Sequence, residues 1–125
     1  MTHALIVDDN LQNLKLFDLL LTRLGIKVTS IDDPRRLEDI FPIHDQFDMV
    51  IVDIKMPILD GYEVREVLRR HIADAPIIAC TVHNHEIALA KRMGFDGFIA
   101  KPLDVTKFSK QIERILKGEP VWDSA

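Results

Sequence analysis

With a single cysteine, Cys80, the 125-residue chain can form no internal disulfide, which fits a reducing compartment. Long apolar runs are missing too: no stretch approaches the roughly 20 residues of a membrane span. The opening MTHALIVDDN has no basic lead and meets two aspartates too early for a signal peptide. Positive charge is in short supply, 16 Lys and Arg against 20 Asp and Glu, for a net charge of −4. That balance argues against a nucleic-acid surface, where binding is driven by neutralising phosphates. There is no internal repeat, low-complexity segment or linker. What remains is one domain, 47% apolar with scattered charge, long enough for a single core and expected to be soluble and cytoplasmic.

Short apolar runs alternate with segments of helical period. ALIV (4–7) reads as a strand and stops at Asp8-Asp9-Asn10. Leu14, Phe17, Leu21 and Leu24 then recur at steps of three and four, one face of a helix closed by Gly25. IKVTSI (26–31) alternates and is β-branched, a second and more exposed strand. Pro34 stands near the start of a helix in DPRRLEDIF. MVIV (49–52) is the third strand, running into Asp53; Asp60-Gly61 leads to a helix with Val64, Val67, Leu68 and Ile72. PIIAC (76–80) is the fourth strand, 85–93 a helix ended by Gly94, and GFIA (97–100) the fifth strand. Val105, Phe108, Ile112 and Ile115 mark a last helix. The stretch GEPVWDSA has no period and is expected to lie loosely on the surface, with Trp122 as its candidate anchor. Five strands alternating with five helices imply a parallel α/β sheet covered on both faces.

Such sheets bind ligands beyond the carboxyl ends of their strands, where the strand order reverses. The residues just past the strands are therefore informative: Asp8 and Asp9 after the first, Asp53 after the third, Thr81 after the fourth, Lys101 after the fifth. Carboxylates about 4 Å apart repel by roughly 4 kcal/mol at a surface-like dielectric. One lysine does not balance three acids; a hard, oxygen-seeking cation such as Mg²⁺ does. One carboxylate is then free to attack phosphorus and form an acyl phosphate, with Thr81 as hydrogen-bond donor and Lys101 as counter-charge. Taken singly, each residue has an ordinary use as helix cap, turn former or surface lysine. Their placement at four separate strand ends favours the common chemistry.

These residues resemble the receiver domains of two-component response regulators. The resemblance covers nearly the whole chain and is carried by LIVDDN (5–10), IVDIKMPILDG (51–61), CT (80–81) and GFIAKPL (97–103). It implies a doubly wound, flavodoxin-like sheet of order 2-1-3-4-5 and a domain over 1–118, with 119–125 as a short tail. Position by position, Asp53 matches the phosphoacceptor, Asp9 a direct Mg²⁺ ligand, Asp8 its water-mediated neighbour, and the Lys55 backbone carbonyl a further ligand. Lys101 matches the lysine that contacts the phosphoryl group, and Pro102 the proline after it, typically cis. Thr81 matches the switch hydroxyl, and Phe98 the aromatic that swings inward with it. The family implies phosphoryl supply by a histidine kinase or phosphotransfer protein. It also implies a downstream protein bound at the face of the fourth helix, fifth strand and fifth helix.

Val82 departs from the pattern, which usually has a small residue after the switch threonine; it is a candidate restriction on the acyl phosphate or on Phe98. Lys55, Val82 and His83 stand where the family tunes loss of phosphate. His83, His85 and Glu86 lack a third strong neighbour for a transition metal, and Cys80 reads as an inert small hydrophobe in a buried strand. Only eight residues follow Lys117, which leaves no room for an output domain in this sequence and points to docking onto another protein, or onward transfer of phosphate, as the output. Three other functions compete with this one. A flavin carrier needs a phosphate-cradling loop where Asp-Asp-Asn stands. An aspartate-nucleophile phosphohydrolase needs a second aspartate where Lys55 stands. A degenerate receiver, acting only as a binding module, is the alternative that Val82 leaves open.

Overall fold

Successive residues of a strand face opposite sides of its sheet, and here both sides are buried. The protein's structure, a computed structural model, describes residues 2–41, 46–54, 61–72, 74–82 and 86–123. Its strands are β1 (His3–Val7), β2 (Lys27–Ile31), β3 (Met49–Asp53), β4 (Ile77–Thr81), β5 (Gly97–Ala100) and β6 (Val121–Asp123). They form one sheet in the order β2-β1-β3-β4-β5-β6, every neighbouring pair parallel. The helices are α1 (Leu11–Arg23), α2 (Leu37–Ile40), α3 (Gly61–His71), α4 (Ile87–Arg92) and α5 (Val105–Leu116). A 3₁₀ turn over Pro34–Arg36 precedes α2, so the Pro34 segment is a turn and a short helix rather than one continuous helix.

Two apolar layers follow from this winding. Val7, Val50, Val52, Ile77, Ala79 and Phe98 meet Leu37 of α2, Val64 and Leu68 of α3 and Ala90 of α4. Ala4, Ile6, Ile51, Ile78, Cys80 and Ile99 meet Leu14, Phe17 and Leu21 of α1 and Phe108, Ile112 and Ile115 of α5. Every residue of β3 and β4 is buried, as the unbroken apolar runs require of central parallel strands, whereas β2 on the edge is largely open.

Two expectations are corrected. The sheet has six strands, not five, because the stretch expected to lie loosely supplies β6 beside β5. Leu24 and Val105, assigned by spacing to buried helix faces, are 42% and 57% exposed. Both sit at helix ends, Leu24 as the C-cap of α1 and Val105 as the first residue of α5, where the apolar stripe has run past the sheet. The helix expected over about 85–93 is present as α4, residue 85 lying outside the described residues.

The strand ends are held by local capping. Asn10 caps α1 by accepting from the Gln12 and Asn13 amides at 2.9 and 3.1 Å. Asp104 caps α5, accepting from the Thr106 amide at 3.0 Å. At the α4 stop, Gly94 has φ +91, a conformation a side chain disfavours, and an added Cβ would lie 2.5 Å from the Arg65 guanidinium.

The α1–α5 layer centres on Phe17 and Phe108, ring centroids 6.0 Å apart and both 1% exposed. Phe108→Ala is expected to lower stability by about 3–5 kcal/mol, read by urea denaturation. A loss below about 1 kcal/mol would contradict this packing.

Candidate functional site

The register of the parallel strands brings the polar strand ends together. Val7 pairs with Val52, Asp53 with Cys80, and Thr81 with Ala100, so Asp8, Asp53, Thr81 and Lys101 emerge along one sheet edge. The chain winds from β1 outward to β2, then returns to β3 on the other side of β1. The strand order therefore reverses between β1 and β3, where this class of sheet forms its ligand crevice.

Asp8, Asp9 and Asp53 each place a carboxylate oxygen within 4.8 Å of the others. Asp8 is 1% and Asp53 7% exposed, while Asp9 is open to solvent. The Lys101 ammonium lies 2.8 Å from Asp8 Oδ2 and 3.4 Å from Asp53 Oδ2. The Lys101 backbone amide also donates to the Thr81 carbonyl at 2.9 Å, fixing the end of β5 to the end of β4. Asp8 has a second duty, its Oδ1 accepting from the Asn10 amide at 2.9 Å. Asn10, not either aspartate, is the helix cap, which leaves Asp8 turned inward and Asp9 free of capping duty.

Burial by itself would lower the pKa of the Lys101 ammonium. The hydrogen bond to Asp8 and the charges of Asp53 and Asp8 outweigh it and hold the group above the ordinary lysine value. Lys101 is therefore a fixed cation at neutral pH. Three carboxylates against one ammonium still leave the cluster negative. All the side-chain donors are carboxylate oxygens, the hard set that suits Mg²⁺ and disfavours metals seeking sulfur or imidazole. The residues present fit a divalent cation held by Asp8, Asp9 and Asp53.

Thr81 closes β4 and is 1% exposed; Phe98 of β5 is fully buried. Val82 is 60% exposed at the same rim. The Lys101–Pro102 peptide is cis. Lys55 and His83 lie outside the described residues, as does His85. Glu86, weighed above as a metal ligand, is buried and accepts from the Tyr62 hydroxyl at 3.0 Å. Sequence reasoning did not find the Lys101–Asp8 pair, which spans 93 positions, nor the Tyr62–Glu86 bond. The buried Gln111 was missed as well. A polar residue one place before Ile112 on the apolar face of α5 was the available signal for it.

The family model for the response regulator receiver domain matches residues 4–113. Among curated relatives, a probable transcriptional regulator, ycf27, of Cyanidium caldarium is 32% identical, the alignment covering 92% of this chain and 46% of that protein. The sensor histidine kinase GacS of Pseudomonas protegens is 33% identical over 87% of this chain and 12% of its own length. The chain thus spans less than half of either protein. A solved structure of the receiver domain of sensor histidine kinase PA1611 from Pseudomonas aeruginosa, with a magnesium ion coordinated in its active site cleft, superposes with TM-score 0.79. It is 24% identical, with 93% of this chain and 98% of that one covered.

Cys80 pairs with Asp53 in register, yet burial pushes its thiol up to about 12, which the nearby Lys101 only partly offsets. At neutral pH the thiol is therefore held in its protonated, unreactive form. Native protein is expected to resist a thiol-reactive dye that modifies one thiol per chain in guanidinium. Equal labelling rates in the two states would contradict the burial.

Proposed function

The chain belongs to the response regulator receiver domain family, and on that premise we propose that Asp53 is its phosphoacceptor, in a switch that signals by docking onto another protein. Receiver domains are signalling proteins that interact with histidine kinases or phosphotransfer proteins. The observation that carries the reading is the convergence of Asp53 with Asp8, Asp9 and Lys101 at the sheet edge. The magnesium in the cleft of the Pseudomonas aeruginosa receiver domain supports the same ion here. Mg²⁺, held by Asp8, Asp9, Asp53 and the Lys55 backbone carbonyl, would neutralise charge on the transferring phosphoryl oxygens.

The chain's own residues do the rest. A carboxylate oxygen of Asp53 forms the bond to phosphorus as the bond from phosphorus to the donor's histidine nitrogen breaks, and that nitrogen leaves with the electron pair. Lys101, 3.4 Å from Asp53, keeps its charge through the step and pairs with the phosphoryl group. Thr81 donates its hydroxyl to a phosphoryl oxygen, and Phe98 shifts with it. The face of α4, β5 and α5 changes as a result and is read by a downstream protein. The protein catalyses its own phosphorylation and dephosphorylation, with Lys55, Val82 and His83 setting how fast water removes the phosphate. Its net charge of −4 supports a protein partner rather than nucleic acid. No helix among the described residues is long and apolar enough to cross a membrane, and we place the protein in the cytoplasm.

Incubation with a small acyl-phosphate donor and Mg²⁺ is expected to add one phosphoryl group, read by intact mass. Asp53→Ala and chelation each abolish the addition; its persistence in either would overturn the reading. Lys55→Ala and His83→Ala are expected to change the rate of phosphate loss, and rates equal to the parent's would remove both from the tuning role.

A further inference from the structure

The fifth strand does not end the sheet. Its outer edge is occupied by β6 in parallel register, with Gly97 opposite Val121, Phe98 opposite Trp122 and Ile99 opposite Asp123. The fit is close: a Cβ at Gly97 would lie 2.7 Å from the Val121 carbonyl oxygen. Val121, fully buried, enters the α1–α5 layer, and Trp122 packs against the opposite layer. Side-chain ties hold the strand to α5, with Gln111 Nε2 donating to Asp123 Oδ2 at 2.9 Å and Arg114 Nη2 to the Pro120 carbonyl at 2.8 Å. On the other side, the Lys91 ammonium of α4 sits 4.9 Å from the Trp122 ring centroid. Residues 119–123 therefore lie between α4 and α5, on the face assigned above to the downstream protein.

This occupant is linked to the carboxylate site through β5. At one end, Lys101 is bound to Asp8, Asp53 and the Thr81 carbonyl. Three residues back, Phe98 lies in register between Ala79 of β4 and Trp122 of β6, all three on one side of the sheet. Its neighbour toward the site is small and its neighbour toward β6 is large. A shift of Phe98 toward β4 therefore withdraws packing from one side of Trp122, whose indole also faces the Lys91 ammonium. A three-residue strand on a sheet edge belongs to the least stable part of a fold.

We propose that β6 is a releasable occupant of the β5 edge, docked in the unphosphorylated protein and undocked when Asp53 carries a phosphoryl group. The output face then has two forms, one covered by Val121 and Trp122 and one with the β5 edge bare. The proposal rests on the reading of Asp53 as phosphoacceptor, and its test separates the two.

The chain has one tryptophan, so Trp122 emission reports on β6 directly. The full chain is treated with the acyl-phosphate donor and Mg²⁺, with intact mass, emission and amide exchange followed in the same sample. The expected result is a red shift of Trp122 emission and exchange of the 121–123 amides about tenfold faster in the phosphorylated species. Both changes should be absent in Asp53→Ala. Mass gain with unchanged or slower exchange overturns the release of β6 and leaves the phosphoacceptor reading standing. Changes that also occur in Asp53→Ala overturn the coupling, and failure to gain mass overturns both.

Discussion

The ion pair between Lys101 and the two buried carboxylates, Asp8 and Asp53, is the contact on which the site depends. It joins the ends of β1, β3 and β5, the first and last of these 93 positions apart. Removing the ammonium would leave two poorly solvated acids facing each other, a cost of several kcal/mol when a buried charge loses its partner. The pair compensates only part of the acidic charge. That incomplete compensation leaves the edge negative and suited to a hard cation.

The sheet supplies what such a pair needs. Central strands buried on both sides cannot slip by one residue without turning one apolar layer into the other, so the register that sets Asp53 beside the end of β1 is held by the whole core. Capping completes the geometry locally. Because Asn10 satisfies the α1 amides, Asp8 is released to face Lys101 and Asp9 to face solvent. Adjacent aspartates thus acquire different environments from one turn of backbone.

Much of this was legible in the sequence because parallel strands obey a simple rule: their carboxyl ends share an edge. Reading the residues after ALIV, MVIV, PIIAC and GFIA was enough to assemble the site's inventory. Pairings within it were not legible. The sequence pairs Lys101 with a phosphoryl group only as an expectation; that its ammonium lies against Asp8 and Asp53 comes from the structure. The sixth strand was missed because three residues are too few to show a period of two, and its anchors, Gln111 and Arg114, lie on another element. Leu24 and Val105 show the converse error, since helical spacing says which face a residue is on but not where the sheet beneath it stops.

The central claim is that three carboxylates and one lysine form a single site built to receive a cation and a phosphoryl group on Asp53. A crystal structure grown with Mg²⁺ and beryllofluoride, an acyl-phosphate mimic, tests it most directly. Beryllofluoride is expected on an Asp53 carboxylate oxygen, Mg²⁺ among Asp8, Asp9 and Asp53, and the Lys101 ammonium and Thr81 hydroxyl within hydrogen-bond reach of fluorine. Mg²⁺ bound elsewhere, or beryllofluoride on a different residue, would contradict it.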